Sequence, residues 1–172
     1  MKGFIGARAL KYGLAVALAL SLAACAKNAT EGDALGGAAN GGANAAAGAP
    51  GSIQDFSANV GDRVFFETDS TELTSTAQAT LDKQATWLNR YANYSFTVEG
   101  HADERGTREY NFALGARRGE TAKNYLIAKG VAASRIKTIS YGKERPVAVC
   151  DDISCWSQNR RAVTVLAGAP GS

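Results

Sequence analysis

From Ile53 to Leu166, apolar and polar residues follow patterns that predict short strands and two long helices. Arg63–Phe66 (RVFF) reads as a short buried strand. Across Thr74–Tyr91, apolar side chains recur at Ala77, Leu81, Ala85, Leu88 and Tyr91, steps of four and three that line one helical face, with Thr74 placed to cap it. Phe96 and Val98 alternate with Thr97 and Glu99, a half-buried strand ending at Gly100. A second helix is predicted from about Arg108 to Lys129, with Leu114, Ala122, Tyr125 and Leu126 inward and Gly130 as its stop. Ile136, Thr138 and Ser140 lie opposite Lys137, Ile139 and Tyr141 on the next strand. Val163 and Val165 mark the last one, after a short helix around Ile153–Asn159. Trp87, Tyr91 and Tyr125 sit at core spacing and read as packing. The predicted order, β-α-β-α-β-β with a short extra helix, is an α/β two-layer sandwich large enough for one hydrophobic core.

Upstream the pattern changes. Residues 1–12 carry Lys2, Arg8 and Lys11 and no acid, and Gly13–Ala24 is continuously small or apolar. That run falls short of the roughly 20 apolar residues needed to cross a bilayer, so residues 1–24 read as a signal peptide rather than a retained membrane helix. Leu22-Ala23-Ala24-Cys25 resembles the lipobox of bacterial lipoproteins, which implies diacylglycerol on the Cys25 thiol and, after cleavage, further acylation of its amine. Ala26-Lys27 place no Asp after the cysteine, which resembles outer-membrane sorting. In the 27 residues from Ala26 to Ser52, 10 are Ala and 7 are Gly, with no aromatic residue. Such a segment lacks the apolar surface to offset ordering entropy, so residues 25–52 are expected to be a lipidated, flexible linker with a typical reach of about 30 Å. The folded domain is then expected over 53–172.

The 19 basic residues exceed the 16 acidic ones only through the first segment; beyond Cys25 the two are equal at 16. The basic balance therefore gives no support for a nucleic-acid partner. One His and three Cys exclude a Cys/His-rich zinc module, and neither a metal nor a cofactor is expected. Cys150 and Cys155 flank Asp151–Ser154; in an oxidising periplasm a disulfide is expected, the alternative being two reduced thiols on a short helix.

The densest polar cluster, Gly100-His101-Ala102-Asp103-Glu104-Arg105-Gly106, follows a predicted strand directly. A loop after a strand, facing a helix, is a common place for a cleft in α/β folds. Asp103 and Arg118 suit a zwitterion, the carboxylate accepting from an ammonium and the guanidinium taking a carboxylate. The same two residues also suit a structural salt bridge, and spacing leaves both readings open. Likewise Asp69 suits either a ligand or a helix cap, and Asn111 either a ligand or the loop backbone. Arg160 and Arg161, adjacent on a strand or its entry, should face opposite ways, and Arg117 reads as structural. His101 has no second His or Cys partner, so it reads as a hydrogen-bonded residue that shapes the cleft. A rival reading is a periplasmic cell-wall hydrolase using His101, Asp103 and Glu104, but no recognisable catalytic motif accompanies them.

GHADERGTREYN (Gly100–Asn111), LGARR (Leu114–Arg118), ISYGKERP (Ile139–Pro146) and NRRAV (Asn159–Val163) resemble the C-terminal domain of the OmpA-like family over about Val64–Leu166. VEGHADERGT with YGKERP is more narrowly similar to its lipoprotein members. The resemblance implies a non-enzymatic protein on the outer membrane. Its domain, facing the periplasm, would bind the diaminopimelate stem peptide of peptidoglycan and tether membrane to wall. It further implies TolB, and with it the Tol envelope system that acts in cell division, as a partner. Asp103 then contacts the ligand's ammonium and Arg118 its carboxylate. Asn111, Arg160 and Asp69 match supporting positions. Two departures from the family pattern stand out. Phe66-Glu67-Thr68-Asp69 lacks a second aromatic, and Gly115 replaces a Ser, a change expected to cost helix stability.

Overall fold

In the computed structural model, which describes residues 48–168, the apolar positions assemble into one layer of sheet and one of helix. The signal segment 1–24, Cys25 and the linker as far as residue 47 lie outside the described residues. The chain enters through a short helix, α1 (Ile53–Asp55), which continues as a π-helical turn (Phe56–Val60). Then follow β1 (Arg63–Phe65), α2 (Ser75–Arg90), β2 (Phe96–His101), α3 (Arg108–Ala128), β3 (Ile136–Gly142), α4 (Ile153–Asn159) and β4 (Arg161–Leu166). The strands lie in the order β1-β4-β2-β3. β4 runs antiparallel to both β1 and β2, and β2 runs parallel to β3.

The core forms where α2 and α3 cover one face of this sheet. Ala77, Leu81, Ala85 and Leu88 of α2 and Ala122 and Leu126 of α3 meet Val64, Phe96, Val98, Ala162 and Leu166 from the strands. Thr74 caps α2 as expected, its hydroxyl accepting from the Ala77 N–H at 3.1 Å. At the other end of α2, the Arg135 guanidinium donates to the carbonyls of Tyr94 (2.7 Å), Leu88 (3.0 Å) and Tyr91 (3.3 Å), a cation on the negative end of the helix. Gln84, fully buried between the layers, is satisfied: it donates to the Gly61 carbonyl at 2.7 Å and accepts from Thr164 at 2.8 Å.

Ser52 caps α1, and the Tyr94 hydroxyl donates to the Gly51 carbonyl at 2.8 Å. One expectation changes. The RVFF run is not a buried strand but a three-residue edge. Val64 alone of β1 faces the core, Phe65 is 46% exposed, and Phe66 leaves the strand to enter the core. In β4 the helix-facing residues are Ala162, Thr164 and Leu166; Val163 and Val165 take the other face.

Gly115 has a packing role that helix propensity does not disclose. A Cβ there would stand 2.5 Å from Ser140 Oγ and 2.9 Å from the Gly100 carbonyl oxygen, and one on Gly100 would stand 1.8 Å from the Gly115 carbonyl oxygen. Helix α3 therefore lies directly on the backbone of β2. Gly115→Ala, which propensity alone would favour by about 1 kcal/mol, is expected instead to destabilise the fold by about 1–3 kcal/mol. Urea titrations of the two proteins check the sign.

Candidate functional site

The contact between α3 and β2 sets the end of β2 against the first turns of α3, and a cleft of about 270 Å³ opens there. Thr68 and Asp69 form one wall, the 103–106 loop a second, and Tyr110, Asn111 and Arg118 of α3 the third. Thr107 starts α3, its hydroxyl accepting from the Tyr110 N–H at 3.2 Å. Asn111 Nδ2 donates to the Arg105 carbonyl at 2.7 Å, so its amide does hold the loop backbone.

Asp103 and Arg118 share the cleft but do not pair. Arg118 is fully buried, and its Nε, Nη1 and Nη2 donate to the carbonyls of Ser70 (2.9 Å), His101 (2.9 Å) and Glu67 (3.1 Å). Its guanidinium also lies 5.2 Å over the Phe66 ring. Burial pushes its pKa down to about 10, against the pull of Asp103, so it stays charged at neutral pH. Asp103 takes its bonds from elsewhere. Arg105 reaches it through Nη2 (2.7 Å), Nε (3.3 Å) and its backbone N–H (3.2 Å), and Arg160 Nη1 lies 3.4 Å away. Burial pushes the Asp103 carboxyl up, but the bonds from Arg105 and Arg160 outweigh it and hold the group below the usual carboxylate range.

Arg160 faces this side, donating also to the Phe66 carbonyl at 3.0 Å. Arg161 faces the other, towards the carbonyls of Asn159 and Arg145. Asp69 sits at the rim with φ of 54°, accepting from the Tyr110 hydroxyl; the α2 cap is Thr74, not Asp69. Asn159 organises the neighbouring loop, accepting from the N–H groups of Val147 (2.8 Å) and Ala148 (3.3 Å). Cys150 and Cys155 form a disulfide, with Cα atoms 5.7 Å apart, at the start of α4.

His101 requires a correction. Its ring does not line the cleft, because alternation along β2 turns it to the opposite face of the sheet, where it stacks on Tyr141 at 5.6 Å. Only its carbonyl serves the cleft, through Arg118. The His101, Asp103 and Glu104 side chains are therefore not brought together; Glu104 instead accepts from Trp156 Nε1 at 2.8 Å. Among the described residues no group of three His, Cys, Asp or Glu side chains is placed to hold a metal ion. Arg105, Tyr110 and Trp156 are the residues that the sequence reading left without a role. Arg105 stands inside the quoted motif, two places from Asp103, which is the signal that was available.

The OmpA family model matches residues 65–160. A peptidoglycan-associated lipoprotein of Rhizobium meliloti (strain 1021) is 71% identical over 120 residues, covering 70% of this chain and 68% of its own. One of Brucella melitensis biotype 1 is 65% identical, covering 70% and 71%. The crystal structure of the peptidoglycan-associated lipoprotein from Burkholderia pseudomallei superposes with a TM-score of 0.60 at 39% identity, over 62% of this chain and 90% of that one. The C-terminal domain of Helicobacter pylori MotB shares the fold at 21% identity, with a TM-score of 0.58 over 62% and 84% of the two chains.

His101 makes the fold acid-sensitive. Burial first, then the charges of Arg161 and Arg145, lower its pKa from 6.5 to about 4, and neither ring nitrogen has a hydrogen-bond partner. The native state keeps it neutral while the unfolded chain takes up a proton below about pH 6.5, so stability is full above that pH and falls towards pH 4. Replacing it by Phe should flatten this slope, removing about 2–3 kcal/mol of the stability difference between pH 7 and pH 4.5. Denaturation curves at the two pH values measure it.

Proposed function

Because the chain belongs to the OmpA family, and relatives within it are named peptidoglycan-associated lipoproteins, we propose that it is an outer-membrane lipoprotein gripping peptidoglycan non-covalently through the Asp103 cleft. The observation that carries this reading is the mixture of charge in one small cavity: an ionised Asp103 beside Arg160, in the field of the buried Arg118. That arrangement suits a group bearing both an ammonium and a carboxylate, and meso-diaminopimelate in the peptide stem bears both at one centre.

Asp103 accepts from the ammonium. Arg118 and Arg160 draw the carboxylate by charge; all three Arg118 nitrogens and the Arg160 Nε already serve carbonyls. Asn111 fixes the loop, and Asp69 with Tyr110 forms the outer rim. Acyl chains on Cys25 anchor the other end in the outer membrane, where two or more chains hold stably. The linker then confines each domain near the wall, so many weak contacts together couple membrane to peptidoglycan. TolB is the protein partner, within a Tol–Pal system acting in envelope integrity and constriction during division, and its surface overlaps the same cleft.

Cosedimentation of the purified full chain with diaminopimelate-type peptidoglycan tests the site. Asp103→Asn should lower binding at least about tenfold, since a charge-assisted bond is lost, while the thermal midpoint moves only a few degrees. Retained binding would move the site elsewhere. Arg118→Ala cannot separate binding from folding. It removes three bonds to carbonyls, that of His101 buried, and leaves the space of a fully buried side chain, and should cost on the order of 3–5 kcal/mol of stability. Added TolB should release the chain from peptidoglycan; a stable ternary complex would overturn the overlap.

A further inference from the structure

Asp103 carries two guanidinium partners that differ in their freedom to leave. Arg160 is 4% exposed and its Nε is committed to the Phe66 carbonyl. The Arg105 side chain is 41% exposed, and it makes the shorter bond to Asp103, 2.7 Å against 3.4 Å. The Arg105 backbone is fixed by Asn111, and the loop carbonyls on either side, of Glu104 and Gly106, accept from Lys143 Nζ at 3.1 and 2.7 Å. The guanidinium itself is therefore the movable part of a rigid loop.

A second contact holds it in place. The Arg105 Cζ lies 4.2 Å from the centroid of the Trp156 ring, so the guanidinium is packed between an indole and a carboxylate. Trp156 is fixed in turn by its Nε1–H bond to Glu104 at 2.8 Å. It stands in α4, a helix of seven residues, too short to be stable alone. Asp152 caps that helix, and the Cys150–Cys155 disulfide staples it at the residue next to Trp156.

We infer that Arg105 is an internal competitor for the ligand, a tethered cation that occupies Asp103 until an incoming ammonium displaces it, and that Trp156 is the shelf that keeps it there. The inference rests on the reading of Asp103 as an ammonium acceptor. A ligand that only exchanges one cation for another at Asp103 gains little, because a comparable ion pair is lost. A zwitterion gains in addition from the Arg118 and Arg160 charges. The competitor thus lowers the affinity of every ammonium ligand by one factor. Singly charged ammonium groups then fall below useful binding, while a two-charge ligand remains above it.

The experiment measures binding of a soluble meso-diaminopimelate muropeptide to the full chain in detergent by calorimetry. It also follows the titration of the Asp103 side-chain carboxyl carbon by NMR without ligand. Arg105→Gln should tighten binding by about two- to fivefold, the scale of one half-exposed ion pair, and should raise the Asp103 titration midpoint. Trp156→Ala should act in the same direction by a smaller factor and change nothing further in an Arg105→Gln background. Trp156→Phe, which keeps a ring under the guanidinium, should lie nearer wild type. A merely structural Trp156 would retain its full effect in the double variant, which overturns the shelf. Equal or weaker binding by Arg105→Gln, or an unmoved Asp103 midpoint, overturns the competitor. If the midpoint moves as expected but neither wild type nor variant binds the muropeptide, the Arg105 lock stands and the ligand proposed above falls.

Discussion

The buried guanidinium of Arg118 is the constraint around which the rest of the domain is organised. It joins segments far apart in sequence, the turn after β1, the end of β2 and the middle of α3, through three carbonyls. A guanidinium suits this task because its donors are fixed in a plane and stay protonated when buried. Its position depends on the Gly100–Gly115 contact, since any Cβ between α3 and β2 would lift the helix and withdraw the fork. Burying a charge is costly, and the ionised Asp103 nearby offsets part of that cost. Fold and cleft therefore share one residue, and the cleft's positive field is a by-product of what closes the fold.

The sheet separates two electrostatic environments. On the helix side, acids and arginines alternate within one cavity and the carboxylate is held ionised. On the far side, His101 lies buried against Tyr141 with Glu99 Oε2 3.7 Å from its Nε2, and burial with the charges of Arg161 and Arg145 holds it neutral. Arg160 and Arg161 reach both environments because successive side chains in an extended chain point opposite ways; His101 and Asp103, two places apart, do so because the chain leaves β2 after His101.

That alternation also explains what was legible in the sequence. The long helices were, because Ala77, Leu81, Ala85 and Leu88 repeat at helical spacing and bury as a stripe. Asp103, Asn111, Arg118 and Arg160 were legible as a motif, and the fold does bring them together. The partners within the group were not. Whether Asp103 pairs with Arg118 or Arg105 depends on the turn at Gly106 and on how deeply α3 sits, neither of which spacing encodes. The side taken by His101 follows from alternation along β2 only once the strand is known to run on through His101, beyond Gly100. The α1 segment left no periodic trace because Phe56 alone is buried in it and its π-helical continuation. Gly115 misled, since propensity weighs the isolated helix and not the strand beneath it.

The two ends of β2 have different neighbours. At its start, Tyr94 holds the incoming chain at Gly51, and just past its end stands Asp103. Through the Tyr94 contact, tension between the entering chain and an object held in the cleft has a path along the length of β2. That strand is hydrogen-bonded on both sides, to β3 and to β4. A pull in this direction loads the two ladders in shear, all bonds at once, instead of peeling them open one by one. The domain is braced lengthwise, and it would yield more readily to a force applied across the sheet at the three-residue edge of β1.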